Sequence, residues 1–186
     1  MIFLIFKMRP ELYTGQEDIA RGIELIIGDA EERGDFKPSL LSRGASILTP
    51  AEFANLYFFE GRCYYCADET RKVVGVIGYH ETLPEKFVGR GIVEDKNEPY
   101  LHTMIVEPHK RGSGVATELV SICSRDALSR SKITMVARTW IHDDASKSNT
   151  ASIKTLTRSG FVEFHRDSNC PDRPQGYGSV YLRKTL

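Results

Sequence analysis

The chain has 186 residues, 41% of them hydrophobic and 27% charged, which suits one domain with a full core and is too short for two. Lysine and arginine total 25 and aspartate and glutamate total 25, so no net field is available to hold a polyanion, and nucleic acid is disfavoured as a partner. No apolar run approaches the roughly 20 residues of a membrane helix, and the expectation is a single cytoplasmic domain over residues 1–186 with no membrane attachment.

The opening Met1-Ile-Phe-Leu-Ile-Phe6 is shorter than a signal-peptide core and runs into Lys7 and Arg9, so it reads as a first strand. Thr14-Gly-Gln-Glu17 has the form of a capping box, and Ile19, Ile23, Ile26, Ile27 and Ala30 recur on one helical face, which predicts a helix over about residues 15–33 stopped by Gly34. Residues 34–48 show no period and read as a loop, with a short helix within it left open. Thr49-Pro-Ala-Glu52 is a second capping box, with proline at the first helical position, opening a short helix that ends near Gly61.

Residues 63–67 and 73–80 then read as a hairpin around the polar turn 68–72, and residues 81–97 as a charged, glycine-containing insertion. Leu101, Met104, Ile105 and Val106 mark a buried strand, and Val115, Leu119, Ile122 and Cys123 the helix after it, ending near residues 129–131. A strand over 133–140, a polar run over 142–148, a helix over about 149–159 closed by Gly160, and closing strands at 161–166 and 179–183 complete the chain. The order contains both hairpins and crossovers, so the fold class is α/β with a mixed sheet, β1-α1-α2-β2-β3-β4-α3-β5-α4-β6-β7.

Four cysteines include the pair Cys63-Tyr-Tyr-Cys66, but no second pair lies at ligand spacing. Strand alternation aims residues three apart to opposite faces, so these cysteines read as buried and structural, with no metal.

The joint between the central strand and its helix, Arg111-Gly-Ser-Gly114, carries the chemical signal. Its glycines let successive backbone N–H groups turn toward one point, and the following helix directs its positive end there, which makes an anion cradle. The run Val106-x-Pro108-x-x-Arg111-Gly112-x-Gly114-Val115-Ala116 resembles the acyl-coenzyme A loop of the GNAT family of N-acetyltransferases. Asn149-x-x-Ser152-x-x-x-Leu156-x-x-x-Gly160-Phe161 is similar to a second block of that family. The two blocks stand in register, and the resemblance extends over about residues 60–186, with the first sixty agreeing only in helix order.

The resemblance implies a fold in which the central strand splays from the next one and an acetyl-CoA arm lies in the gap. It implies that Met104, Ile105 and Val106 border the arm, with a backbone N–H near Ile105 or Val106 on the thioester carbonyl. It further implies that Arg111, Gly112, Ser113, Gly114, Val115, Ala116 and Thr117 hold the pyrophosphate and that Asn149 contacts the arm. Acetyl transfer to an amine needs a base, and His102 is the first candidate because imidazole titrates near neutral pH and the strand should border the thioester. Tyr100, two residues back and on the same face by alternation, is its candidate partner; the order Tyr100-x-His102 resembles arylalkylamine acetyltransferases, which have histidines at both positions.

Leu156 stands where the family commonly has its tyrosine acid, and a leucine donates no proton; Tyr177 and Tyr181 are the substitutes the sequence offers. His80-Glu81 and Asp143-Asp144 would suit a cationic amine at the mouth but read more simply as turns, and Trp140 as core. The expected function is acetyl-CoA-dependent N-acetylation of a primary amine of a small molecule or a protein. A non-catalytic acyl-CoA-binding module and an acetyltransferase toxin acting on aminoacyl-tRNA are the alternatives, and the oligomeric state, a homodimer included, is left open. Specificity is expected in residues 40–57, 81–97 and 167–178.

Overall fold

The computed structural model describes residues 8–35, 48–82, 97–144, 146, 148–168 and 176–186, and of His102 the backbone alone. The expected strand at residues 1–6, most of the loop 34–48 and most of the segments 81–97 and 167–178 lie outside the described residues.

Strand β1 (Glu11–Leu12) heads the sheet and is followed by α1 (Glu17–Glu32). The isoleucine stripe of α1 is buried as its period requires. Its start differs from expectation: Gly15, at φ +99°, turns the chain so that Gln16 becomes the N-cap, with no side-chain cap. Thr14 is thus one residue too early to cap, and it exchanges hydrogen bonds with the Gln16 side chain at 3.0 Å instead. The second box does form at α2 (Pro50–Ala54), where the Thr49 N–H donates to Glu52 Oε2 at 2.8 Å and the Glu52 N–H to Thr49 Oγ1 at 3.3 Å. The helix runs on through a π-type turn over Asn55–Phe59.

The remaining elements are β2 (Arg62–Ala67), β3 (Val73–His80), β4 (Tyr100–Val106), α3 (Val115–Ser129), β5 (Thr134–His142), α4 (Thr150–Arg158), β6 (Val162–Asp167) and β7 (Tyr177–Thr185). Among the described residues they form one mixed sheet of seven strands in the order β1-β2-β3-β4-β5-β7-β6. Strand β5 pairs antiparallel with β7 along its whole length, from Thr134↔Thr185 to His142↔Tyr177. Its parallel pairing with β4 consists of Tyr100↔Val136 and Leu101↔Ala137 only. Each of these central strands therefore follows its other neighbour, and the two part beyond Leu101.

Helices cover both faces of the sheet. Ile19, Ile23, Phe53, Phe58, Cys63, Tyr65, Val76 and Ile105 make one buried cluster, and Cys66, Tyr79, Leu101, Leu119, Cys123, Ala137, Leu156 and Phe161 belong to the other. Asp126 of α3 accepts hydrogen bonds from the Tyr79 hydroxyl and from Arg62 Nη2, the latter at 3.3 Å, tying α3 to the β2–β3 hairpin. No helix among the described residues is long and apolar enough to cross a membrane.

Cys63 and Cys66 fall in different clusters, on opposite faces of the sheet, as alternation requires. Burial pushes both thiols up to about 12, and side chains aimed to opposite faces of the sheet do not share one ion. Metal analysis of the purified protein should find no stoichiometric zinc; one zinc per chain, lost in Cys66→Ser, would show that the cysteines are ligands after all.

Candidate active site

A cleft of about 650 Å³ opens where β4 and β5 part. Tyr100, Leu101, Thr103, Met104, Ile105 and Val106 of β4 form one wall, and Ala137, Arg138, Thr139 and Trp140 of β5 the other. The loop before α3 closes one end, and residues of α4, including Ser152, Thr155, Leu156 and Arg158, close another.

Strand β4 carries a bulge at this wall. Ile77 pairs with Met104 and Tyr79 with Leu101, so two steps of β3 face three of β4, and the extra residue falls at His102–Thr103. A bulge breaks the alternation of side chains and takes one residue's backbone groups out of the ladder. The shared face of Tyr100 and His102 consequently does not follow from their spacing. Tyr100 is buried and lines the cleft; His102 lies on the same strand, at the bulge.

The glycine loop is built as its residue types demand. After a 3-10 turn at Pro108–Lys110, Gly112 (φ +81°) and Gly114 (φ +91°) adopt left-handed backbone, and Gly114 is the N-cap of α3. The Glu118 N–H is bonded to the Gly114 carbonyl at 3.0 Å. The N–H groups of Val115, Ala116 and Thr117 stand in the first turn, where a helix supplies no acceptor, and all three residues line the cleft. Ser113 does not: its hydroxyl and N–H both donate to the Lys110 carbonyl, at 2.6 and 3.4 Å, which locks the turn. At the other end, Asn149 is the N-cap of α4, with its Oδ1 accepting from the Ser152 N–H at 3.2 Å.

The residues Met104, Ile105, Val106, Arg111, Gly112, Gly114, Val115, Ala116, Thr117 and Asn149 are thus brought to one cleft, and Ser113 is not among the residues that line it. Arg111 is half exposed, yet its guanidinium is engaged by the protein's own acceptors. Its Nε donates to the Val106 carbonyl at 3.2 Å and its Nη2 to Asp35 Oδ2 at 2.6 Å, and that same oxygen accepts from Arg33 Nε at 3.0 Å. The hydrogen bond from Arg111, aided by Arg33, holds the Asp35 carboxyl below its ordinary range against the opposing effect of burial.

Asp35, Tyr57, Lys110 and Arg158 also line the cleft, and sequence reading did not single them out. Lys110 and Arg158 each had a usable signal, lying within the first and the second motif, and Tyr57 closes the 40–57 segment in which specificity was expected.

Leu156 is buried and lines the cleft without a donor. Tyr181 is buried on β7 beneath Arg138, and Tyr177 packs on Trp140 and His142 with ring centroids 5.8 and 4.4 Å apart; neither is among the described residues of the cleft wall. Trp140 does not fill the core as expected: it is half-buried and forms cleft wall, because the ladder that would cover it on the β4 side has ended at Ala137. Asp144 accepts from the Ser146 N–H and hydroxyl, at 3.0 and 2.7 Å, which is the turn role its position suggested. Among the described residues no group of His, Cys, Asp and Glu is placed to hold a metal ion.

A mixed sheet split between two parallel strands, with the first turn of a helix at one end of the split, defines an α/β protein with a cleft between its central strands. The chain belongs to the acetyltransferase (GNAT) family, whose model matches residues 32–161. No curated protein matches it by sequence. Among solved structures it is similar to an aminoglycoside 6'-acetyltransferase type Ii, with TM-score 0.65 and 18% identity over 96% of this chain and 97% of the other. A ribosomal-protein-alanine N-acetyltransferase from Brucella melitensis gives TM-score 0.64 and 17% identity, over 95% and 99% of the two chains. A candidate streptothricin acetyltransferase from Bacillus anthracis, in complex with acetyl coenzyme A, gives TM-score 0.54 and 16% identity over 68% and 62%. At such identities the shared property is the fold.

Proposed function

We propose that this chain is an acetyl-CoA-dependent N-acetyltransferase that acylates a primary amine of a small molecule or a protein. The observation that carries the proposal is the parting of β4 and β5 beside the first-turn amides of α3. That arrangement offers donors for phosphate at one end and an open channel between two strands at the other. The residues fit the cofactor. A Cβ built on Gly112 or Gly114 would meet nothing within 4 Å, so the loop surface stands open, and Lys110 and Arg158 add positive charge to the same cleft. The neighbour solved with acetyl coenzyme A shares this fold.

In this reading the amine nitrogen attacks the thioester carbonyl, the C–N bond forms, the C–S bond breaks and the amine loses a proton. His102, with Tyr100 beside the same wall, takes that proton. Backbone N–H groups of β4 near Ile105 and Val106, on the strand edge that β5 leaves uncovered beyond Leu101, stabilise the oxyanion. The thiolate, facing Leu156 rather than a tyrosine, receives its proton from solvent or from a group outside α4.

Leu156 favours a second reading, a module that binds acyl-CoA without turnover. Incubation with acetyl-CoA and a panel of amines, followed by mass spectrometry, separates the two. The expected result is an acetylated amine with release of free coenzyme A; tight coenzyme A binding with no product from any small-molecule or peptide amine would favour the binding module.

A further inference from the structure

We infer that the Asp35 carboxylate competes with the phosphates of coenzyme A for the Arg111 guanidinium, which makes Asp35 a residue that sets cofactor affinity. The inference rests on the cofactor reading above and adds a role that neither loop motif predicts.

Three observations carry it. Asp35 and Arg111 both line the cleft, and they meet there at 2.6 Å although they lie 76 residues apart in sequence. The Arg111 side chain is 50% exposed, so it can turn toward another anion without repacking a core. Finally, Asp35 Oδ2 also accepts from Arg33 Nε at 3.0 Å. When Arg111 leaves, the carboxylate keeps a charged partner, so the exchange abandons no unpaired buried charge.

The direction of the exchange follows from ligand charge. A phosphate offers a guanidinium more negative charge and more acceptor oxygens than the single carboxylate oxygen that Arg111 meets here. Arg111 also stands in the loop before α3 that lines the cleft, and the torsions of its half-exposed methylene chain can turn the rigid guanidinium as a unit from Asp35 toward a phosphate. The alternative role for Asp35 is a brace that holds the loop in shape, and it predicts the opposite sign.

Calorimetric titration of coenzyme A into the wild type, Asp35→Asn, Arg111→Gln and the double variant decides between them. Asparagine keeps the volume and removes the charge. Asp35→Asn should bind coenzyme A about fivefold more tightly, the size of one partly exposed ion pair. In the Arg111→Gln background the same change should have no effect. Weaker or unchanged binding by Asp35→Asn overturns the inference. So does equal tightening in both backgrounds, which would be a general field effect and not competition for Arg111. If the wild type itself binds no coenzyme A, the cofactor reading has failed and this inference falls with it.

Discussion

Valine at both Gly112 and Gly114 should raise the dissociation constant for coenzyme A by on the order of a hundredfold while leaving the protein folded. The two glycines sit at φ +81° and +91°, where a residue with a Cβ costs roughly 1–2 kcal/mol and a β-branched one more. Space is not the difficulty, since a Cβ at either position meets nothing within 4 Å. The effect comes through the backbone. Valine drives φ negative, and the N–H groups that converge on the cleft turn away from one another. Two such penalties sum to about 2–4 kcal/mol, which at about 1.4 kcal/mol per decade spans roughly thirtyfold to almost a thousandfold. Stability should change less, because α3 is anchored further along by Leu119, Val120 and Cys123, all fully buried. Calorimetry with circular dichroism on the same sample checks both parts, and unchanged affinity in a folded double variant would mean that the loop is an ordinary strand-to-helix connection.

His102→Gln should lower turnover by on the order of a hundredfold or more and leave coenzyme A affinity nearly unchanged, as removal of a positioned base does. His102 lies at the bulge of β4, on the strand that walls the cleft, and Leu156 removes the family's common proton-transfer group from α4. The sign of the pH dependence is set by the base role. An imidazole accepts a proton only when neutral, so turnover should fall as pH drops through its titration and rise as pH increases through it. The variant should lose that limb of the profile. Tyr177→Phe and Tyr181→Phe are the controls, and both should keep the wild-type profile, since neither tyrosine stands among the described residues of the cleft wall. A His102→Gln enzyme with full activity and the same profile, with chemistry shown to be rate-limiting, would make the histidine structural.

The elements of this protein were legible because their signals are local. The isoleucine stripe of α1, the Thr49–Glu52 box and the left-handed Gly160 after α4 each depend on residues within a turn or two. The opposite faces of Cys63 and Cys66 follow from strand alternation alone, and the left-handed turn at Gly112 and Gly114 from glycines next to a helix start. Two motifs in register were sufficient to indicate the family.

What tertiary structure decided is how distant strands share hydrogen-bond partners. The cap of α1 moved to Gln16 because Gly15 adopted a positive φ that its sequence permits but does not require. The bulge at His102–Thr103 exists only relative to the register of β3, so spacing within β4 could not reveal it. Trp140 reads as core by composition, yet it lines a cleft because β5 follows β7 for its full length and leaves β4 after two pairs. The Asp35–Arg111 contact closes a loop of chain far longer than any periodicity reaches, and its partners carry no pattern that would pair them. Local preferences set which segments become helix or strand, whereas the gap between β4 and β5, and with it the cleft, comes from the competition of whole strands for neighbours.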